Sequence, residues 1–214
     1  MESDRTKVRR APHKQVFEPA VARRILERAI IAHVAITVDD QPYCLPVSCA
    51  PFGDELLMHG STASRLFKAL SEGVRACVTI TLVDGLVLAR SSFESSMHYH
   101  SLTAFGRARL LGDEEKPAAL QALTDHLFPE RRAELRKSTE KELRATTVVA
   151  FPLNEISVKV SNGQPDDPET DLDSHVWAGI LPILTTYGTP IPAENLRSDI
   201  SVPDYISRWP RNRL

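Results

Sequence analysis

The segment Met58-His59-Gly60-Ser61-Thr62-Ala63-Ser64-Arg65-Leu66-Phe67-Lys68 gathers the residue types that hold a phosphate into one short stretch. The apolar run Leu56-Leu57-Met58 reads as a strand ending at Gly60, and a helical pattern follows with Ser61 as its N-cap. A helix start presents free backbone N–H groups and a partial positive charge, which suit an anion. Arg65 adds a fork-shaped donor and Lys68, one turn on, a point charge. An ordinary capped helix with exposed basic residues uses the same residue types, so this pattern by itself leaves both readings open.

Three further groups could carry chemistry. His59 ends the strand just before the phosphate-type segment, where a neutral imidazole could lie beside a bound ring or donate a proton, or be a partly buried histidine held by a backbone carbonyl. In His98-Tyr99-His100 an extended backbone puts both imidazoles on one face. Such a pair can ligate a metal given a third ligand, with His59 the remaining candidate; no Asp or Glu stands at a matching offset. A polar pocket wall and plain surface or barrel-end histidines are the competing readings. Trp177, next to Gly179, could cover an aromatic cofactor or pack a subunit seam. The signatures G-x-x-x-x-G-K-[ST], G-x-G-x-x-G, H-E-x-x-H, G-x-S-x-G and C-x-x-C are all absent, which removes the commonest nucleotide triphosphatase, dinucleotide, zinc protease and serine hydrolase readings.

The elements that must position these groups are mostly short strands. A helix is predicted over 19–30 with Pro19 near its start, and strands over 31–38, 43–50 and 55–59. Gly73 suits the C-terminal end of the helix after Ser61. Val74, Ala76, Val78 and Ile80 alternate with polar residues as one strand, and Asp84-Gly85 signals a hairpin into Leu86-Val87-Leu88. A strand over 99–111, two helices within 114–145 broken near Phe128-Pro129, and strands over 147–153 and 156–160 follow. This pattern predicts a mainly β fold with some α: an antiparallel split β-barrel with helices packed outside. Residues 1–16 are expected as a flexible arm, 17–160 as the barrel domain, and 161–214 as an acidic loop and extended tail packing on the barrel or a partner.

With 214 residues and a formal net charge of -2, the chain is sized for one main domain and has no balance for binding nucleic acid. No apolar run is long enough for a membrane span or a signal peptide. Three cysteines without paired spacing point to reduced thiols and a cytoplasmic setting.

The order of these pieces resembles the flavin-binding split-barrel proteins related to pyridoxamine 5′-phosphate oxidase, and within them the nitroimidazole-resistance, flavin-nucleotide-binding branch. The resemblance rests on Gln41 to Val47, Leu57 to Ser61 with Ser64-Arg65, Val78 to Arg90, Ser96 to Ser101 with Phe105-Gly106-Arg107-Ala108, and Val176 to Gly179, spanning 15–185. It implies FMN bound at the interface of a homodimer and a flavin-dependent oxidoreductase. Carried onto this chain it implies that Ser61, Ser64 and Arg65 hold the phosphate, with Gly60 beside them in the cofactor site. It also implies that Tyr43, Leu45, Pro46, Val47 and Ser48 line the isoalloxazine, that His59 lies beside it, and that Ser101 reaches the ring. Leu66 stands where the oxidase has a lysine, so Lys68 is the substitute; His98 and His100 stand where asparagine and arginine are expected. Counterparts of the residues that grip pyridoxal phosphate are missing, so vitamin B6 oxidation is not expected. The rival readings are a non-catalytic flavin or haem carrier, a deazaflavin barrel and the metal enzyme built on His98 and His100.

Overall fold

The computed structural model describes residues 3–209, and its strands build a single ten-stranded antiparallel network. In chain order the elements are β1 (Gln15–Val16), α1 (Pro19–Arg28), β2 (Ile31–Val38), β3 (Gln41–Phe52), β4 (Glu55–Ser61), α2 (Arg65–Ser71), β5 (Arg75–Leu88), β6 (Ser96–Arg107) and β7 (Arg109–Leu110). They continue with α3 (Lys116–Leu127), α4 (Glu140–Ala145), β8 (Thr146–Pro152), β9 (Ile156–Ser161), β10 (Gly179–Pro182) and α5 (Asp204–Arg208). The strand order is β1-β9-β6-β5-β2-β3-β4-β8-β7, with β10 added to β5. This is the expected split barrel.

The split originates in β3. Its first half, 41–48, pairs with β2, and its second half, 49–52, pairs with β4. Ladder bonding between β3 and β4 stops at Cys49 and Met58, and the two strands part beyond that point. Among the described residues the edge of β3 over 43–48 that turns away from β2 is therefore left without a ladder partner, while β4 runs on to Ser61 along β8.

Two cores explain the apolar runs. Val34, Ile36, Leu56, Met58, Val78, Ile80, Leu102 and Phe151 fill the barrel, plugged by Ile25 and Leu26 of α1 and Phe67 and Leu70 of α2. Leu57, Val148 and Ala150 point the other way and pack under Leu111, Ala119 and Leu123. Successive strand residues face opposite sides, so Leu56-Leu57-Met58 is buried throughout only because β4 is covered on both faces.

Two local expectations are corrected. Ser61 is not the helix cap: it is the last residue of β4, paired with Thr146, and Ser64 takes the cap position without a side-chain capping bond. Asp84-Gly85 is not a hairpin. β5 runs unbroken through it, with a bulge between Val83 and Gly85 that keeps Val83, Leu86 and Leu88 exposed on one face. Over its described residues the N-terminal segment makes contacts with the barrel. Thr6 is buried, Arg5 and Ser3 bind Glu155, and β1 pairs with β9. In the C-terminal segment β10 joins the sheet, and Tyr205 of α5 is buried, its hydroxyl donating to Glu134 at 2.7 Å and accepting from Arg131 at 2.9 Å.

Candidate functional site

The cleft at the split is walled by the free edge of β3 and the start of α2. Tyr43, Leu45 and Val47 lie in register with Ile36, Val34 and Ala32 of β2, so they continue the barrel-facing rows. They sit where β4 has peeled away. Leu45 is thus 40% exposed although its row neighbour Val34 is completely buried. The result is an apolar shelf open to a ligand.

Across the cleft the Arg65 guanidinium carbon lies 4.8 Å from the centre of the Tyr43 ring. Arg65 forms no ion pair among the described residues, so stacking on Tyr43 holds its fork in place and leaves its N–H donors unused. The first backbone bond of α2 runs from the Lys68 N–H to the Ser64 carbonyl at 3.0 Å. Among the described residues the N–H groups of Arg65, Leu66 and Phe67 have no acceptor. Ser61 accepts from the Ala63 N–H at 3.2 Å and Ser64 bonds back to the Ser61 carbonyl at 3.0 Å, which shapes the turn. Gly60 serves packing: a Cβ there would lie 2.2 Å from the Phe67 ring, so glycine is what lets α2 seat on β4.

The other residues singled out by sequence lie apart from this cleft. Pro46 and Ser48 point to the opposite face of β3, with His33 and Ile31. Ser101 shares the outer face of β6 with Thr81 and Lys159, and donates to the Lys159 carbonyl at 3.4 Å. Trp177 is 68% exposed and its ring covers Gly179. Lys68 is exposed one turn along α2. His59 shares its face of β4 with Leu57, opposite Val148, and so looks toward α3. Its Nδ1 is buried with no partner in the described structure, and burial holds its pKa below the usual imidazole value, keeping the ring neutral.

His98 and His100 do point the same way, but each ring is engaged separately. His98 Nε2 lies 2.8 Å from the Gly163 carbonyl, and His100 Nδ1 donates to Asp84 at 2.6 Å. Asp84 also accepts from Arg28 at 2.6 Å, so one carboxylate joins α1, β5 and β6. No group of three His, Cys, Asp or Glu is placed to hold a metal among the described residues. Sequence reasoning missed Asp84 and Arg28, along with the pair of Arg90 with the buried Asp167. The available signal was a carboxylate inside the apolar run from Val78 to Leu88.

A family profile for pyridoxamine 5′-phosphate oxidase matches residues 18–160, the stretch that holds the split barrel and the cleft. The chain belongs to this family. The pyridoxamine 5′-phosphate oxidase match ends before the C-terminal segment, whereas two solved structures extend through it. The FAD and haem binding protein from Mycobacterium smegmatis is 40% identical, with a TM-score of 0.90, over 94% of this chain and 98% of that one. The flavocytochrome Anf3 from Azotobacter vinelandii is 35% identical, with a TM-score of 0.91, over 97% of both chains. A candidate 5-nitroimidazole antibiotic resistance protein from Bacteroides thetaiotaomicron is 23% identical over 68% of this chain and 86% of that one. Its TM-score is 0.59, and it shares the fold. No curated protein matches the chain. No helix among the described residues is long and apolar enough to cross a membrane.

Proposed function

We propose that this chain is a flavin- and haem-binding redox protein that works as a homodimer. One observation carries the reading: the FAD and haem binding protein matches 94% of the chain at 40% identity, too much to omit the segment beyond residue 160. The flavin is FAD in this reading, in place of the FMN that the resemblance implied.

The cleft suits a flavin nucleotide. Arg65, Ser64 and the free N–H groups of the α2 turn would hold phosphate oxygens, and Tyr43, Leu45 and Val47 would take the flat ring. Bound flavin supplies the hydride and electron chemistry. A second group is supported by His100. Its Nδ1 is fixed by Asp84 and its Nε2 has no hydrogen bond among the described residues, as in a metal-binding imidazole whose other N–H meets a carboxylate. His100 is the side chain we assign to meet the haem iron.

The homodimer rests on an apolar sheet face. Leu181, Leu86 and Met97 form one cross-strand row at 53%, 37% and 45% exposure, flanked by Val83, Leu88 and Trp177. A row of this kind suits burial against a second copy. Pro46, Ser48, Ser101 and Trp177, which lie off the cleft within one chain, would meet the flavin only across such a contact.

Extraction of the group from purified protein tests the reading. Denatured protein is expected to release FAD and to give a pyridine haemochrome spectrum. Protein that takes up neither group on reconstitution overturns it, and release of FMN alone overturns the FAD and haem assignment.

A further inference from the structure

A second hollow lies on the outer face of the sheet, at the end of β5 opposite to β10. Its floor is formed by two cross-strand rows. In one, Ala35 lies beside Cys77, which lies beside Phe105. In the next, Thr37 is followed on β5 and β6 by Arg75 and Arg107, which are direct partners. Short side chains at Ala35, Thr37 and Cys77 leave the centre empty, and Phe105 and Pro42 stand at its sides. The cavity measures about 480 Å³.

Its charge is unbalanced. Arg5, Arg75 and Arg107 all line it, against the single carboxylate of Glu155. That carboxylate is already used: it accepts from Arg5 at 3.1 and 2.9 Å and from the Ser3 hydroxyl at 2.5 Å. Arg107 donates one N–H to the Gly73 carbonyl, and the Arg75 guanidinium has no bond or ion pair among the described residues. Two like charges directly opposite on adjacent strands destabilise a sheet. An anion between them removes that cost and receives two fork-shaped donors.

We propose that this hollow binds a phosphate monoester carrying a compact apolar body. The guanidinium groups of Arg75 and Arg107 take the phosphate, and the Phe105, Cys77 and Pro42 surfaces take the body. The site is distinct from the cleft at Tyr43 and Arg65, because it lies on the other face of the sheet. The volume is that of a small organic molecule and exceeds the need of a lone ion.

Calorimetric titration of the full chain in phosphate-free buffer, with phenyl phosphate as probe and phenol as control, tests this. Phenyl phosphate is expected to bind at one site per chain, and phenol to give no binding. Arg75→Gln and Arg107→Gln are each expected to weaken phenyl phosphate at least about tenfold. Both variants are expected to retain the wild-type flavin content, and Arg75→Gln to melt at or above the wild-type temperature, since it relieves repulsion. Equal affinity in wild type and both variants places the probe elsewhere and overturns the proposal, as does absence of binding to the wild type.

Discussion

The carboxylate of Asp84 accepts a hydrogen bond from His100 Nδ1 at 2.6 Å, and this contact fixes which nitrogen of the imidazole stays free. Asp84 stands at the bulge between Val83 and Gly85, and its carboxylate also accepts from Arg28 at 2.6 Å. Its own carbonyl accepts from the Ile183 N–H at 2.9 Å, which ties the segment after β10 to the same point.

Replacing Asp84 by Asn should lower stability by about 1–3 kcal/mol at neutral pH, the range for hydrogen bonds to a charged group that is largely shielded from solvent. Burial pushes the Asp84 carboxyl up, but the bonds from Arg28 and His100 outweigh it, so its folded pKa lies below the usual value. A depressed carboxylate contributes stability above its unfolded pKa and loses it as pH falls through the folded pKa. Urea unfolding of wild type and Asp84→Asn should therefore differ at pH 7 and converge in strong acid. A difference that stays constant with pH would show that the carboxylate charge plays no part.

Arg65→Ala should weaken flavin nucleotide binding by about 1.5–3 kcal/mol while leaving riboflavin binding nearly unchanged, because only the nucleotide brings the phosphate. Fluorescence titration with both ligands checks this. The same loss for both would mean that Arg65 contacts the ring instead. Far-ultraviolet dichroism should be unaltered, since Arg65 is exposed and its one described side-chain contact is with Tyr43.

Gly60→Ala should destabilise the fold by about 1–3 kcal/mol, the usual cost of overpacking. The added methyl would meet the ring of Phe67, which is only 4% exposed and has no room to swing away. Combining it with Phe67→Leu should recover part of the loss, as thermal melts would show. Simple addition of the two single costs would contradict the steric account.

Leu86→Glu should dissociate the proposed homodimer, since the change puts a charge at the middle of the row from Leu181 to Met97. Light scattering across a concentration series reads the mass directly. A wild-type protein that is monomeric with flavin fully bound would sink the shared-site model.

Much of the fold was determined locally. The alternation in β2 places Ala32, Val34 and Ile36 inward, and that strand occupies the predicted residues 31–38. The strand-then-helix order around Gly60 was also legible, because an apolar run followed by Ser and Arg carries its own punctuation. What the local pattern did not decide was where an element stops. Asp-Gly serves a hairpin or a bulge equally well, and the partners of β5 on both sides selected the bulge. Ser61 and Ser64 are equivalent caps in isolation, and pairing with Thr146 claimed Ser61 for β4. The cleft itself depends on β3 leaving one partner for another at Cys49, which brings Tyr43 against Arg65. His100 acquires its role only through Asp84 and Arg28, contributed by two other elements. Residue types and periodicity determine which side chains are available. Pairing between distant strands decides which of them meet, because that geometry is set by contacts far apart in the chain.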